Sequence, residues 1–325
     1  MPKASRADAA VEKVAALRDA PNDAALEKAL NQALGDAHPR VVLSAAKIIE
    51  DRELEGHGTQ LCDAFERLLG AEAPHKLDPN CRAKAAVLRA LLRTDGTARP
   101  AIFERGVAFV QSEPVRGGYV DTAAEVRGYS ALGLIRSRHA DGLVLSAKLL
   151  ADPEHQAREA AADAFAEAPR DSALPLLRYK IAMGDESAGV MGAVFSSYLA
   201  IDAAQALELA TEYLTHAREE FAEAVVLAIG SARPTGGFPM LRDYSARAQG
   251  VLKETAFTAM SLLRDDAATA FLLEVVAEAP EKHAEMAVNA LAHFKHDDKL
   301  RERVRAAAKG RAEAAVARAV AKSFG

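Results

Sequence analysis

A block of about 32 residues recurs along this chain, and its internal spacing fixes what can be built from it. Each block opens on a polar turn and continues as a helix-forming stretch with small or apolar residues at fixed offsets. Let offset zero be a residue that is often Lys or Arg. Offsets +3, +6 and +7 then read Val87, Ala90 and Leu91 after Lys84, and Ser130, Gly133 and Leu134 after Arg127. They read Ala161, Ala164 and Phe165 after Arg158, and Ala256, Ala259 and Met260 after Lys253. Three further blocks keep the offsets without the cation: Ala45, Ile48 and Ile49 after Val42; Val225, Ala228 and Ile229 after Ala222; Ala287, Ala290 and Leu291 after Ala284. These offsets fall on one face of a 3.6-residue helix, and small residues there let a second helix approach closely.

The zero positions stand about 42 residues apart as far as Arg127 and 31–32 apart after it. A second amphipathic run follows each first one, at 59–69, 99–110, 141–151, 172–184, 204–214, 238–248 and 267–279. Two helices per block, each block packed only on its neighbours, add up to an array with no single core to outgrow. The expected fold is all-α: an α-α superhelix, or α-solenoid, of about nine two-helix repeats. One array is expected over 1–325, with a capping hairpin at 1–35, repeats over 36–308 and a capping helix at 309–325. Composition agrees, since 73 of the 325 residues are Ala and only 20 are Gly and 13 Pro. Ala is the best helix former and a poor strand former.

Turn residues punctuate the blocks as helical hairpins require. Asp78-Pro79 and Asp152-Pro153 offer a capping carboxylate before a Pro at the first helical position. Pro100, Pro175 and Pro239 fall in or near the first turn of second helices, where a missing N–H is tolerated. Gly70, Gly96, Gly184 and Gly230 follow helical runs as expected stops.

At these residues a resemblance becomes plain. The run from Pro153 to Phe165, with Arg158, Ala161 and Ala164 inside it, resembles the first helix of HEAT-like repeats, and Pro79 to Leu91 matches it more loosely. The block length is similar to the short bacterial kind named after phycobilisome lyases, and the resemblance covers 36–308. Tetratricopeptide arrays share the length, but their Trp-Leu-Gly-Tyr pattern is missing. The resemblance implies a curved superhelix whose second helices line a concave face and bind other macromolecules. By family analogy alone it also implies tetrapyrrole handling, for which the chain offers no specific residue.

One segment breaks the period, residues 111–122 between the third and fourth units. It gathers Glu113, Arg116, Gly117, Gly118, Tyr119 and Asp121 ahead of Arg127. A long connection in a short-turn array is where binding surface tends to lie. Gly117-Gly118 frees backbone amides, and the following helix offers a positive N-terminus, so a carboxylate or phosphate clamp at one end of the groove is one reading. The other is an ordered spacer, with Asp121 or Thr122 capping the helix and Glu113 paired to Arg116. In the second helices, Arg178, Tyr179 and Lys180, then Tyr213, then Arg242 and Tyr244, recur at comparable places. Tyr and Arg concentrate at binding hot spots, which makes this series a candidate stripe along the groove.

Catalytic and cofactor patterns are not found. The chain has no G-x-S-x-G, no G-x-x-x-x-G-K-[ST] and no strand-borne G-x-G-x-x-G, and neither Cys62 nor Cys81 carries a nucleophile signature. His57, Cys62, His75 and Cys81 match no zinc spacing, and His293, His296, Asp297 and Asp298 read as a polar helix end. No metal and no cofactor is expected. Net charge is −5, yet Lys295–Lys322 holds nine Lys/Arg against four Asp/Glu, leaving residues 1–294 about ten charges acidic. That balance and the absence of Trp oppose a base-reading repair enzyme, and nucleic acid is not the expected partner for the chain as a whole. The basic C-terminal helices alone keep it as a further alternative. Two thiols form no disulfide framework, and no stretch is apolar for long enough to span a bilayer or serve as a signal peptide. The expectation is a cytoplasmic, non-enzymatic scaffold, monomeric by default, that binds a protein or peptide on its concave face. An anionic-ligand or enzymatic site around 111–127 is the alternative.

Overall fold

The computed structural model of the chain describes residues 6–94, 99–311 and 313–325. Its backbone divides into two compact units, Met1–Ser172 and Ala173–Gly325. The first contains α1 (Arg6–Ala15), α2 (Ala24–Leu34), α3 (Pro39–Arg52), α4 (Gly58–Leu69) and the short α5 (Pro74–Leu77). It continues with α6 (Arg82–Arg93), α7 (Pro100–Val107), strands β1 (Ser112–Val115) and β2 (Gly118–Asp121), α8 (Ala124–Arg136), α9 (Gly142–Leu149) and α10 (His155–Ala164). Helix α11 (Arg170–Met183) leads into the second unit. There follow α12 (Ala188–Ile201), α13 (Ala203–Tyr213), α14 (Glu219–Ala232), α15 (Gly237–Arg247), α16 (Gly250–Leu263), α17 (Asp266–Glu278), α18 (Glu281–Leu291), α19 (Asp298–Ala308) and α20 (Ala314–Phe324). The chain is therefore all-α apart from one hairpin among the described residues, with the helix pairs of a solenoid in sequence order.

Each unit is two layers deep. In the first, α1, α3, α6, α8 and α10 pack in series, and α2, α4, α7 and α9 back them. In the second, α12, α14, α16, α18 and α20 form the series, with α13, α15, α17 and α19 on the other side. The repeat offsets explain this: every +3, +6 and +7 position quoted above is buried. Small residues set the spacing. Gly128 lies against Ala160 and Gly133 against Phe103, while a Cβ on Gly230 would come within 2.5–2.9 Å of the backbone of Ala259. Gly230 thus sits inside α14 as a point of close helix approach and is not the stop that its place in the sequence suggests; Arg233, with φ 52°, ends that helix.

Several turn assignments shift in the same way. Helix α10 begins at His155, so Asp152 and Pro153 precede it and Glu154 takes the capping position. Pro100 does open α7, whereas Pro175 lies well inside α11. Gly70 ends α4 and Gly184 ends α11 with φ +71°; Gly96 lies outside the described residues.

The stretched spacing before Arg127 has two causes. One is the 111–122 segment, which is a β-hairpin and not an open loop: Ser112 pairs with Asp121 and Val115 with Gly118 around a turn at Arg116-Gly117. Gly117 has φ +102°, a conformation that side chains disfavour, which accounts for glycine at that turn. The other is the α5 segment, closed by a 3-10 turn at Pro79–Cys81 in which Asn80 and Cys81 take left-handed φ values of 57° and 52°.

Candidate functional site

The two insertions meet, and their polar side chains form one network within the first unit. The Glu113 carboxylate accepts from the Asn80 amide at 2.6 Å, from the Thr122 hydroxyl at 2.7 Å and from the Gln111 amide at 2.8 Å. Gln111 also donates to the Asp78 carbonyl at 2.9 Å. Behind them Lys84, fully buried, donates to Asp78 at 3.2 Å and to Gln111 at 3.0 Å, and lies 5.6 Å from the centre of the Phe109 ring. Asp78 accepts from the Ala83 and Lys84 amides, so it closes the start of α6 as well.

Arg127 anchors the other side. It is 3% exposed and donates to Asp121 at 2.6 Å, twice to Asp152 at 2.8 Å and to the Phe109 carbonyl at 3.0 Å. Burial works against this guanidinium, but the Asp152 and Asp121 bonds outweigh it and hold its pKa above the ordinary Arg value. Asp121 further accepts from the Gln111 and Ala123 amides. A charge so enclosed by two carboxylates has little left for a third anion. Glu113 is likewise committed: burial raises its carboxyl pKa, yet bonds from Thr122, Gln111 and Asn80 more than reverse that and leave it low.

Of the residues the sequence gathers here, Glu113, Asp121 and Arg127 come together in this network. Arg116, Gly117 and Tyr119 stand at the hairpin tip, with Tyr119 77% exposed. The expected Glu113–Arg116 pair does not form, because Glu113 is turned inward to Asn80 and Thr122. Neither Asp121 nor Thr122 caps α8; that position is Ala123, with Asp121 closing the turn behind it.

The expected stripe separates into parts. Tyr244 is buried, with Arg247 near its ring, while Arg242 is exposed 5.8 Å from the Phe238 ring centre. Lys180 is tied to Asp185 at 2.7 Å. Arg178 instead edges an open cleft of about 550 Å³ in the second unit, where the ends of α11 and α13 meet the start of α14. Ile181, Leu209, Tyr213 and Phe221 give it apolar walls, and Glu212, His216 and Arg218 line its rim. The Tyr213 ring lies 5.2 Å from Phe195, which fixes it in place; burial raises its phenol pKa against the pull of Arg218, so the hydroxyl stays protonated at neutral pH. Tyr179 and Met183, one helical turn apart on α11, are 64% and 65% exposed.

Sequence reading missed two features. An Asp stands six residues before each of Lys84, Arg127 and Arg158, and this signal was legible. Lys84 and Arg127 bind those carboxylates and Arg158 the carbonyl of Asp152 at 2.7 Å. The cleft carried no such mark, because it depends on how the ends of three helices diverge. Both cysteines are buried, and neither forms a disulfide. Among the described residues no three His, Cys, Asp or Glu side chains converge as a metal site requires, and no helix is long and apolar enough to cross a membrane.

No family model and no curated protein matches the chain. Similar solved structures include the CpcE–CpcF complex of phycocyanin lyase from Nostoc sp. PCC7120, 16% identical, with 81% of this chain and 93% of that chain covered and a TM-score of 0.35. An engineered protein is similar at 14% identity, with 97% and 94% covered and the same TM-score. At that superposition neither likeness says anything about particular residues.

Proposed function

We propose that this chain is a non-enzymatic scaffold that binds a protein or peptide through the layer of second helices. The observation that carries the reading is the cleft edged by Arg178. Its walls are aromatic and aliphatic, its rim offers guanidinium groups, and Tyr179 and Met183 lie exposed on the neighbouring turns of α11. Aromatic residues, Met and Arg are the side chains enriched at protein interfaces. A partner's large apolar side chain would fill the space between Ile181, Leu209 and Phe221, and an adjacent acidic residue would meet Arg178.

Selection of a random-peptide library on the immobilised protein tests this. Enriched peptides should pair an aromatic or large aliphatic residue with Asp or Glu, and Arg178→Glu should weaken their binding by about tenfold or more. Absence of enrichment, or affinity indifferent to Arg178, defeats the reading. The same reading gives the hairpin tip, with Val115, Arg116 and Tyr119 exposed, a separate contact in the first unit. Arg116→Ala combined with Tyr119→Ala tests that contact alone.

A further inference from the structure

A second cleft in the second unit has a different character. It is an open cleft of about 530 Å³ between the end of α16, the first turns of α17 and α19 and the segment that follows α18. At its wall is Ser261, 4% exposed, whose hydroxyl has no hydrogen-bond partner. Buried hydroxyl groups are nearly always bonded, because leaving one unpaired costs about 1–3 kcal/mol. Arg264, one turn on, holds its guanidinium carbon over the Phe294 ring, 4.6 Å from its centre, and lines the same space. Lys299 and Arg303, also one turn apart, project from α19, and His293 and His296 complete the rim.

None of Arg264, Lys299 and Arg303 has a carboxylate within 4.0 Å among the described residues. The acids facing this space are Asp266 and Asp297, and one Asp297 oxygen is taken by the Leu300 amide at 3.1 Å. The contrast with Arg127 and Lys84 is direct: there every cation meets a carboxylate, here three do not. Guanidinium and ammonium groups only donate, and with the two imidazoles and the serine they supply more donors than a two-oxygen carboxylate ligand can accept. A phosphoryl group or a short chain of them can. The first turns of α17 and α19 add their partial positive charge to the same side.

We propose that this cleft binds a small ligand bearing phosphoryl groups, with Lys299 and Arg303 holding its outer oxygens, Arg264 donating from its place over Phe294, and the Ser261 hydroxyl donating to the innermost oxygen. The proposal is independent of the peptide cleft, with which it shares no residue.

Calorimetric titration of the full chain at low salt with inorganic phosphate, pyrophosphate and tripolyphosphate tests it. Tripolyphosphate should bind at one per chain and more tightly than phosphate. The paired change Lys299→Ala and Arg303→Ala should weaken it by about tenfold or more. Arg318→Ala with Lys322→Ala, on α20 and outside the cleft, should change it by less than about twofold. Ser261→Ala should cost about fivefold in affinity while the unfolding midpoint holds or rises, since the variant removes an unpaired buried hydroxyl. The proposal is overturned if no saturable binding occurs, if the α20 control loses as much as the cleft pair, or if Ser261→Ala leaves affinity unchanged. Single-stranded RNA that outcompetes tripolyphosphate and depends on Arg318 and Lys322 would also overturn it, in favour of a diffuse basic surface.

Discussion

The surroundings of Arg127 in the first unit and the two clefts of the second use the same residue types to opposite ends. Around Arg127 and Lys84, each cation is buried against carboxylates and carbonyls. Around Arg178, and around Arg264, Lys299 and Arg303, the cations line open space. A buried charge must be paired or it costs more than its hydrogen bonds return, whereas a solvated one can wait for a ligand. Charge alone therefore does not mark a binding site in this fold. Charge that the fold has left unspent is what the two proposed sites share.

The sharpest way to break this comparison is to delete one cation from each region. Arg127→Ala strands Asp121 and Asp152, which are 15% and 9% exposed, and should cost about 3–5 kcal/mol in urea unfolding. Arg303→Ala should stay within about 0.5 kcal/mol. Equal costs would mean that the first network is no more structural than the second cleft. Next in size is Gly230→Ala. Its Cβ would press on the Ala259 backbone, and about 1–3 kcal/mol of overpacking should exceed the gain of about 1 kcal/mol in helix propensity. A net stabilisation would show that α14 and α16 can separate at no cost.

The fold was largely legible because close packing demands small residues on one helix face, and that demand repeats at every block. Where packing alone set the rule, as at Ala161, Ala164 and Phe165, sequence and structure agree. Gly230 misled because a glycine near a helix end serves equally as a stop or as a contact point, and only the neighbouring helix decides. The hairpin at 112–121 was hidden because two four-residue strands carry no periodicity strong enough to stand against a helical background. The site was less legible still. Glu113, Asp121 and Arg127 were found as a cluster, but whether their charges were spent depended on Asn80 and Asp152, which are distant in sequence.

Acid sharpens the comparison further. The Glu113 carboxyl titrates below the ordinary Glu value of 4.5 in the folded chain. Its contribution is therefore complete above that value and is lost as pH falls through the lower folded one. Glu113→Gln keeps an oxygen to accept from Asn80 and Thr122 but cannot titrate. The wild-type chain should lose stability below about pH 4.5 more steeply than the variant. Some slope will remain, because Glu167, bonded twice by Arg136 at 2.6 Å, also titrates low. Identical slopes in both proteins would remove Glu113 from the paired network.

The gentlest test alters no residue. Burial pushes the Cys81 thiol up to about 11, with Lys84 and Thr122 only partly opposing it, and Cys62 is buried in α4. The thiolate is the reactive form, so iodoacetamide at neutral pH should modify neither cysteine until the surrounding chain opens. Relative rates then report where opening begins. Cys81 sits on the left-handed turn that joins the two insertions, and Cys62 lies inside an ordinary repeat helix. Equal labelling rates across sub-denaturing urea would mean that the inserted network opens only with the helical stack. Faster labelling of Cys81 would mean that the network yields first, and that its charges can after all be released towards a ligand without unfolding the unit.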